Sequence, residues 1–212
     1  MNDLACANSD GVNLGDLATL NLNGFSITGP GGGSGVLCGF TTETTRRVQR
    51  CTVNGPGAIS NFSGGVFAGA HVRLVTVNHL TVNGNESGIY ATYSQVKAND
   101  IVANGNTEWG ILADRLRGTN IQTNNNGEGG VGANKFSLLG LTATGNGSQG
   151  GVIYGSGPIV GSTVTGNDGL GQGYDIISQK RVRLLNTVCG KSAKLDALIP
   201  PNVIGSFGCA ND

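Results

Sequence analysis

Two stretches decide the fold, "LTVNGNESGIYA" at residues 80–91 and "IVANGNTEWGILA" at residues 101–113. Both keep an apolar first residue, an Asn-Gly-Asn turn, and a glycine followed by two apolar residues, while most other positions change. The shared residues are those that set turns and buried positions. The repetition therefore indicates a repeated structural unit.

The phrase recurs along most of the chain. Its copies begin at successive intervals of 31, 29, 21, 20, 20 and 21 residues, at Leu20, Cys51, Leu80, Ile101, Ile121, Leu141 and Ser162. Two further columns repeat in step with it, one opening on a glycine (Gly35, Gly65, Gly88, Gly110, Gly130, Gly151) and one on a basic residue (His71, Arg115, Lys135, Arg181). Three short strands per repeat lack the turn signals of hairpins, so each strand pairs with its copy in the next repeat. This pattern predicts an all-β parallel β-helix of about seven or eight coils, stacked about 4.8 Å apart.

The alternation of side chains predicts which residues fill the interior. We expect the column Val66, Ile89, Ile111, Val131, Val152 to point inward with Ala68, Ala91, Ala113 and Ala133. A second column of asparagines keeps its spacing most strictly, at Asn85, Asn106, Asn126, Asn146 and Asn167. Each follows a glycine or an asparagine, as a left-handed backbone position requires. The spacing predicts an asparagine ladder along the axis.

The composition limits the classes of partner. Lys plus Arg and Asp plus Glu are balanced at 13 each, and this disfavours a nucleic-acid partner, which needs a basic excess. No apolar run approaches the ~18 residues of a transmembrane helix, so no membrane partner is expected. The chain begins abruptly at Met1 without a charged-then-apolar signal segment, and we expect that the natural N-terminus has been trimmed.

The five cysteines indicate disulfides more than a metal site. They contain no CxxC spacing, and the chain has two histidines, which makes a zinc site improbable. We expect Cys189 to pair with Cys209 and Cys38 with Cys51, leaving Cys6 over. Disulfides predict a secreted, cell-surface or periplasmic protein, and buried free thiols are the alternative.

The stretch "LNLNGFSITGPGGGSGV" from Leu20, followed by repeats of the "VTVNHLTVNGNESGIYA" kind, resembles the right-handed parallel β-helix repeat proteins of the pectin-lyase-like superfamily. The resemblance covers residues 10–190. It implies a single right-handed β-helix over residues 1–190 with a capping tail over 191–212, and it implies polysaccharide handling by lyases, glycoside hydrolases, epimerases or non-catalytic fibres and adhesins. No signature of the calcium-dependent pectate lyases or the paired-Asp polygalacturonases is present.

Three carboxylates are candidate catalytic residues: Glu86, Glu108 and Glu128 each stand two residues before the repeated glycine. Stacked coils would hold neighbouring carboxyls about 5 Å apart and the outer two about 10 Å apart, a spacing compatible with glycosidase pairs. No metal ligands are assigned, although calcium between the glutamates is one alternative. Solvated turn residues are the other alternative.

A broken basic stripe is predicted on the third strand column, at Arg73, Lys97, Arg117, Ser137 and Arg183, with His71 and His79 near one end. In a uronate lyase or epimerase such side chains would neutralise sugar carboxylates, and Lys97 and Arg117 are our candidates to act in catalysis, with Arg73 binding substrate. The alternative is that they keep the outer face wet and discourage edge pairing.

An apolar stripe is expected on another outer column, at Leu37, Phe67, Tyr90, Leu112 and Ile153, interrupted by Gly132. The tail at residues 193–207 is apolar enough to cover this stripe or to cap the last coil. Otherwise the stripe is an oligomer seam, or a platform on which sugar rings stack through Phe67, Tyr90 and the nearby Trp109.

Two weaker signals remain. The segment "NDGLGQGYD" at residues 167–175 is a single near-match to a calcium-binding nonapeptide. The TxT pairs at residues 142–144 and 163–165 could order water as in ice binding, although Gln122 and Asn124 interrupt them in the preceding coil. The sequence thus predicts an exported β-helix that binds polysaccharide. As an enzyme it would be a uronate-type lyase or epimerase or a glycoside hydrolase, and the alternative is a non-catalytic structural, adhesive or fibre-forming module.

Overall fold

The computed structural model describes residues 3–39, 48–196 and 202–212. Its strands in chain order are β1 (Leu4–Ala5), β2 (Val12–Leu14), β3 (Ala18–Asn21), β4 (Ser26–Thr28), β5 (Ser34–Cys38), β6 (Val48–Asn54), β7 (Ala58–Ser60), β8 (Gly64–Ala68), β9 (Val72–Thr81), β10 (Ser87–Val102), β11 (Trp109–Gln122), β12 (Gly129–Thr144), β13 (Gly150–Ile153), β14 (Gly157–Val160), β15 (Thr163–Thr165), β16 (Ile176–Ser178), β17 (Val182–Leu185), β18 (Val188–Cys189), β19 (Ser192–Leu195) and β20 (Val203–Gly205). The described residues contain no helix, and so none that could span a membrane.

The strands form a parallel β-solenoid of about eight turns, as the sequence predicts. Each coil contributes a strand segment to each of three faces. Face A contains β2, β5, β8, the first parts of β10 to β12, β13, β16 and β19. Face B contains β3, β6, most of β9, the middle parts of β10 to β12, β14 and β17. Face C contains β1, β4, β7, the ends of β9 to β12, β15 and β18.

The register of the later coils is the predicted one, with Leu80, Ile101, Ile121 and Leu141 stacked in turn. The alignment of the earlier coils is wrong, because Cys51 pairs with Val75 and not with residue 80. The cause is that an apolar-Thr-Val-Asn phrase occurs twice in one coil, at residues 75–78 and again at 80–83. Similar local sequences precede two different corners, so the phrase alone does not fix the register.

The predicted interior columns are confirmed. The five inward residues from Val66 to Val152 are buried, as are the four alanines that accompany them. They belong to one continuous hydrophobic core that runs along the axis. The glycine column reflects a close approach between coils: a Cβ at Gly110 would lie 2.7 Å from the carbonyl oxygen of Gly130 and 3.0 Å from Nδ2 of Asn126. A side chain there would push the coils apart.

The asparagine ladder is present and buried. Nδ2 of Asn106 donates to Oδ1 of Asn126 at 3.0 Å, and Nδ2 of Asn126 donates to Oδ1 of Asn146 at 2.9 Å. The backbone N–H of each of these asparagines donates to the same oxygen of the next one. The preceding residues all have positive φ, from 55° to 67°, as predicted, at Gly84, Gly105, Asn125, Gly145 and Gly166.

The ladder ends on a carboxylate that sequence reasoning missed. Asp175 is 2% exposed, and its Oδ1 accepts hydrogen bonds from the backbone N–H and Nδ2 of Asn167, both at 2.9 Å. Its Oδ2 accepts from the backbone N–H groups of Gly190 at 2.7 Å and Lys191 at 3.1 Å. One buried side chain therefore joins the ladder to the last coil.

Both predicted disulfides are present. Cys38 bonds to Cys51 and Cys189 bonds to Cys209, while Cys6 is free and half-buried. Two disulfides are compatible with an extracellular location.

The C-terminal end of the apolar stripe, at Ile153, is covered by other residues. Ile153 and Ile177 pack with Trp109, Tyr174 and Leu195 in a second hydrophobic cluster outside the main core. Within the proposed tail, β19 continues the parallel stack on β16, and β20 pairs antiparallel with β19. Residues 197–201 of the tail lie outside the described residues. The lower part of the stripe, at Leu37, Phe67 and Tyr90, is half-buried.

Candidate functional site

Face B carries three adjoining shallow depressions that share Gln95 and are lined by positive charge. We call them together the basic groove, and its polar lining includes Arg50, Arg73, Gln95, Lys97, Arg115, Arg117 and Lys135. Six of the chain's 13 Lys and Arg residues therefore meet on one face of five successive coils. The balanced total charge hides this local excess.

Parallel pairing fixes the positions of the charges. Lys97 lies beside Arg117 in the next coil, as predicted, and Arg115 lies beside Lys135. Neighbouring strands are about 4.8 Å apart. The Lys97–Arg117 pair and the Arg115–Lys135 pair lie in two columns and are offset by one coil, so their charges form a staggered array. Gln95 lies beside Arg115 and adds an uncharged hydrogen-bonding group.

Arg73 does not belong to the Lys97 column, which corrects the predicted stripe. Lys97 pairs with Thr76, and Gln95 pairs with Leu74. The shift arises because Arg73 and Leu74 are two consecutive outward residues between the buried Val72 and Val75. Arg73 still lines the basic groove, from a neighbouring row.

One edge of the groove is mixed in charge. His71, Tyr93 and Asp114 line it beside Arg73 and Arg115. Asp114 Oδ2 lies 3.6 Å from Nε of Arg115, and both side chains are more than a third exposed. An ion pair this exposed contributes little energy, so Arg115 keeps most of its capacity to bind an anion.

The three glutamates stack at the corner that precedes face A. The backbone N–H of Glu108 donates to the carbonyl of Glu86 at 2.7 Å, and that of Glu128 donates to the carbonyl of Glu108 at 2.9 Å. Burial raises the pKa of Glu108, and the charges of Glu86 and Glu128 raise it further. This shift favours the protonated form of Glu108.

The structure separates the two sets of predicted catalytic residues. Glu86 and Glu108 line a depression with Asn61 and Thr107 at the corner between faces C and A. Lys97 and Arg117 line the basic groove on face B, one face further along each coil. One active site therefore does not contain both sets.

The aromatic candidates also divide. The rings of Phe67 and Tyr90 stack on face A, with centroids 5.4 Å apart and planes 4° apart. Trp109 is 5% exposed, and its Cζ3 would lie 2.6 Å from a Cβ at Gly129 and 2.9 Å from one at Gly132. Its ring therefore fills the gap that Gly132 leaves in the stripe, a position that does not suit an open stacking platform.

Tyr154 is a site residue that sequence reasoning missed. Its ring centroid lies 6.1 Å from that of Trp109, and its hydroxyl donates to Oε1 of Gln149 at 3.1 Å. Burial raises its pKa, and the charge of Glu128 adds to the rise. The available signal was a tyrosine in the repeat position that Ala91, Ala113 and Ala133 hold.

The described residues form no cluster that is suited to bind a metal ion. They include no group of three or more His, Cys, Asp or Glu arranged to hold a metal ion. In the segment that resembles a calcium nonapeptide, the Asp175 carboxylate is bonded to N–H groups of the ladder and the last coil. Calcium at the glutamates stays a prediction.

The raised pKa of Glu108 predicts a pH-dependent stability. A carboxyl whose pKa is raised on folding stabilises the native state below its ordinary value of 4.5, and this contribution is lost as pH rises through the raised pKa. We expect the melting temperature of Glu108→Gln to rise relative to that of the unmodified protein as the pH increases from 4 to 7. Thermal melts across this range check the difference, and parallel curves would contradict it.

Comparison with known proteins supplies no family, since the chain matches no family model, no curated protein and no solved structure. The assignment of a parallel solenoid fold therefore depends on the geometry of the chain alone. The narrower resemblance to the pectin-lyase-like superfamily stays an expectation.

Proposed function

We propose that the protein is an exported solenoid whose basic groove binds carboxylate-bearing polysaccharide of the uronate type. The observation that carries the proposal is the group of six Lys and Arg side chains in adjoining columns over five coils of face B. An elongated array of cations on a sheet fits an extended polyanion better than a compact ligand. Two disulfides are compatible with export.

The affinity would come from many weak contacts in series. Each exposed cation contributes little alone, but contacts on one chain add through high effective concentration. Arginine binds carboxylates through two parallel N–H groups, whereas lysine acts as a point charge. Arg115 and Arg117 would therefore orient the sugar carboxylates, and Gln95 would hydrogen-bond to a hydroxyl group between them.

Processing would use the same groove. In a lyase or epimerase, a proton leaves the carbon next to the carboxylate, and cations on that carboxylate stabilise the anion that forms. Arg117 would supply this stabilisation, because a guanidinium stays protonated in proteins. Lys97, beside it, is then the candidate base.

Removing two of these cations should weaken binding. We expect Lys97→Ala/Arg117→Ala to bind alginate or polygalacturonate about two- to thirtyfold more weakly, since each lost exposed charge pair contributes roughly 0.2–1 kcal/mol. Affinity electrophoresis or calorimetry measures the change, and the affinity of the unmodified protein should fall with added salt. Lys194→Ala is the matched control, because Lys194 is an exposed cation on face A.

Several outcomes would contradict the proposal. Equal losses in the Lys194 control would mean that total charge matters and the groove does not. DNA binding as tightly as alginate would mean that the groove accepts any polyanion. If binding is seen without unsaturated product or an altered epimer ratio, the groove binds polysaccharide without lyase or epimerase activity.

A second candidate function is glycoside hydrolysis at the glutamate column. The observation that favours it is the raised pKa of Glu108 beside Glu86 and Glu128, since a general acid needs a proton at the pH of reaction. Reducing ends without unsaturation should then appear and be lost in Glu108→Gln. Retained activity in that variant would exclude this function.

A further inference from the structure

Apart from Asp3 in the first coil, face C carries no charge along its two outward columns. One column runs from Ser26 through Ala58, and then along the ends of the long strands, to Val188; the other runs from Thr28 to Thr165. Every position in these columns is Ser, Thr, Asn, Gln, Ala or Val. We call this surface the neutral face. Because the neutral face lacks the cations of the basic groove on face B, any ligand that it binds would differ from the acidic polysaccharide proposed for the groove.

The neutral face is rigid as well as uncharged. The backbone N–H of Asn104 donates to Oδ1 of Asn83 at 2.7 Å, and that of Asn124 donates to Oδ1 of Asn104 at 2.7 Å. Thr144 continues the row, with its N–H and its hydroxyl both donating to Oδ1 of Asn124 at 3.0 Å. These bonds hold one outward column in place from coil to coil.

The threonines form the most regular part. Thr142 pairs with Thr163, and Thr144 pairs with Thr165 in the same register. Because β-branched side chains have few rotamers, each hydroxyl and methyl has a defined position. The columns repeat about 4.8 Å along the axis and lie about 6.6 Å apart across a strand.

These features exclude several ligands. Without charge, the surface does not attract an ionic polymer. Without an aromatic ring, it has no platform for a sugar ring. Its area is roughly 250 Å² from the coil spacing, well below the ~800 Å² per partner of a stable dimer.

We propose that the neutral face orders water and binds ice. A flat, rigid lattice of hydroxyl, amide and methyl groups complements an uncharged surface of ordered water, because it anchors water through hydrogen bonds and restricts it through the methyl groups. The Thr142, Thr144, Thr163 and Thr165 array is the centre of this site, and Asn104 and Asn124 extend it.

Ice affinity tests the proposal directly. We expect the unmodified protein to separate its freezing and melting points in an osmometer, and to be enriched in a slowly grown ice hemisphere. The Thr142→Tyr/Thr163→Tyr variant should lose both effects, because two projecting rings prevent flat contact. Thr19→Tyr places the same ring on an exposed position of β3, on face B, and should keep both.

This experiment can be distinguished from the test of polysaccharide binding by the basic groove. The double variant should still bind alginate, which shows that it is folded and that the two surfaces act independently. The proposal is overturned if the unmodified protein gives no freezing-point gap and stays out of the ice. It is also overturned if the double variant keeps its full effect, or if Thr19→Tyr loses it equally.

Discussion

The Asp175→Ala variant is expected to lose about 3–5 kcal/mol of its free energy of unfolding, since several buried N–H donors lose their acceptor at about 1–3 kcal/mol each. The carboxylate accepts four hydrogen bonds, two from Asn167 and one each from the backbones of Gly190 and Lys191. The variant leaves these donors without an acceptor in a site that is almost fully buried.

Chemical denaturation measures this loss, and Asp168→Ala is the matched control. Asp168 lies in the same segment but is exposed, and its carboxylate accepts one hydrogen bond from the backbone of Gly173 at 3.3 Å. Its loss should stay within about 0.5 kcal/mol. A change below about 1 kcal/mol in Asp175→Ala would show that water replaces the carboxylate without difficulty.

The Asn106→Leu variant is expected to lose about 3 kcal/mol, since each buried group left without a partner costs about 1–3 kcal/mol. Oδ1 of Asn106 accepts from the backbone N–H of Asn85 at 3.0 Å, and its Nδ2 donates to Asn126. Leucine can make neither bond. Denaturation with urea, followed by circular dichroism, measures the effect.

Asn99→Leu provides the comparison. Nδ2 of Asn99 donates to Oδ1 of Asn78 at 2.8 Å in a second ladder, which is half-buried and includes Asn21 and Asn54. Solvent can replace a bond in that position, so we expect a loss below about 1 kcal/mol. Equal losses at positions 99 and 106 would contradict the view that burial gives the inner ladder its strength.

The fold was largely predictable because its determinants repeat. The glycine, asparagine and inward apolar columns each occur at a fixed interval, so one coil predicts the next. The register of the first coils failed where two corners of one coil carry the same short phrase, at residues 75–78 and 80–83.

The candidate sites were less predictable because their decisive features occur once. Asp175 stands in the register of the repeated glycine column, one coil after Gly151, but an aspartate there departs from the repeat and does not indicate contact with Asn167. The burial of Trp109 depends on its ring crossing to Gly129 and Gly132, a contact that periodicity does not describe. By contrast, the placement of Lys97 and Glu108 on different parts of the coil follows from the order of the strands along the sequence.

The inner ladder has a direction, because its side-chain amides donate towards the C-terminus from Asn106 to Asn167. Each asparagine both donates and accepts, so the ladder bonds are the same from one coil to the next. Asp175 receives only, and it fits no other rung. Duplication or deletion of a whole coil within the ladder would therefore preserve its hydrogen bonds and change only its length. Asp175 would still end the ladder at the last coil.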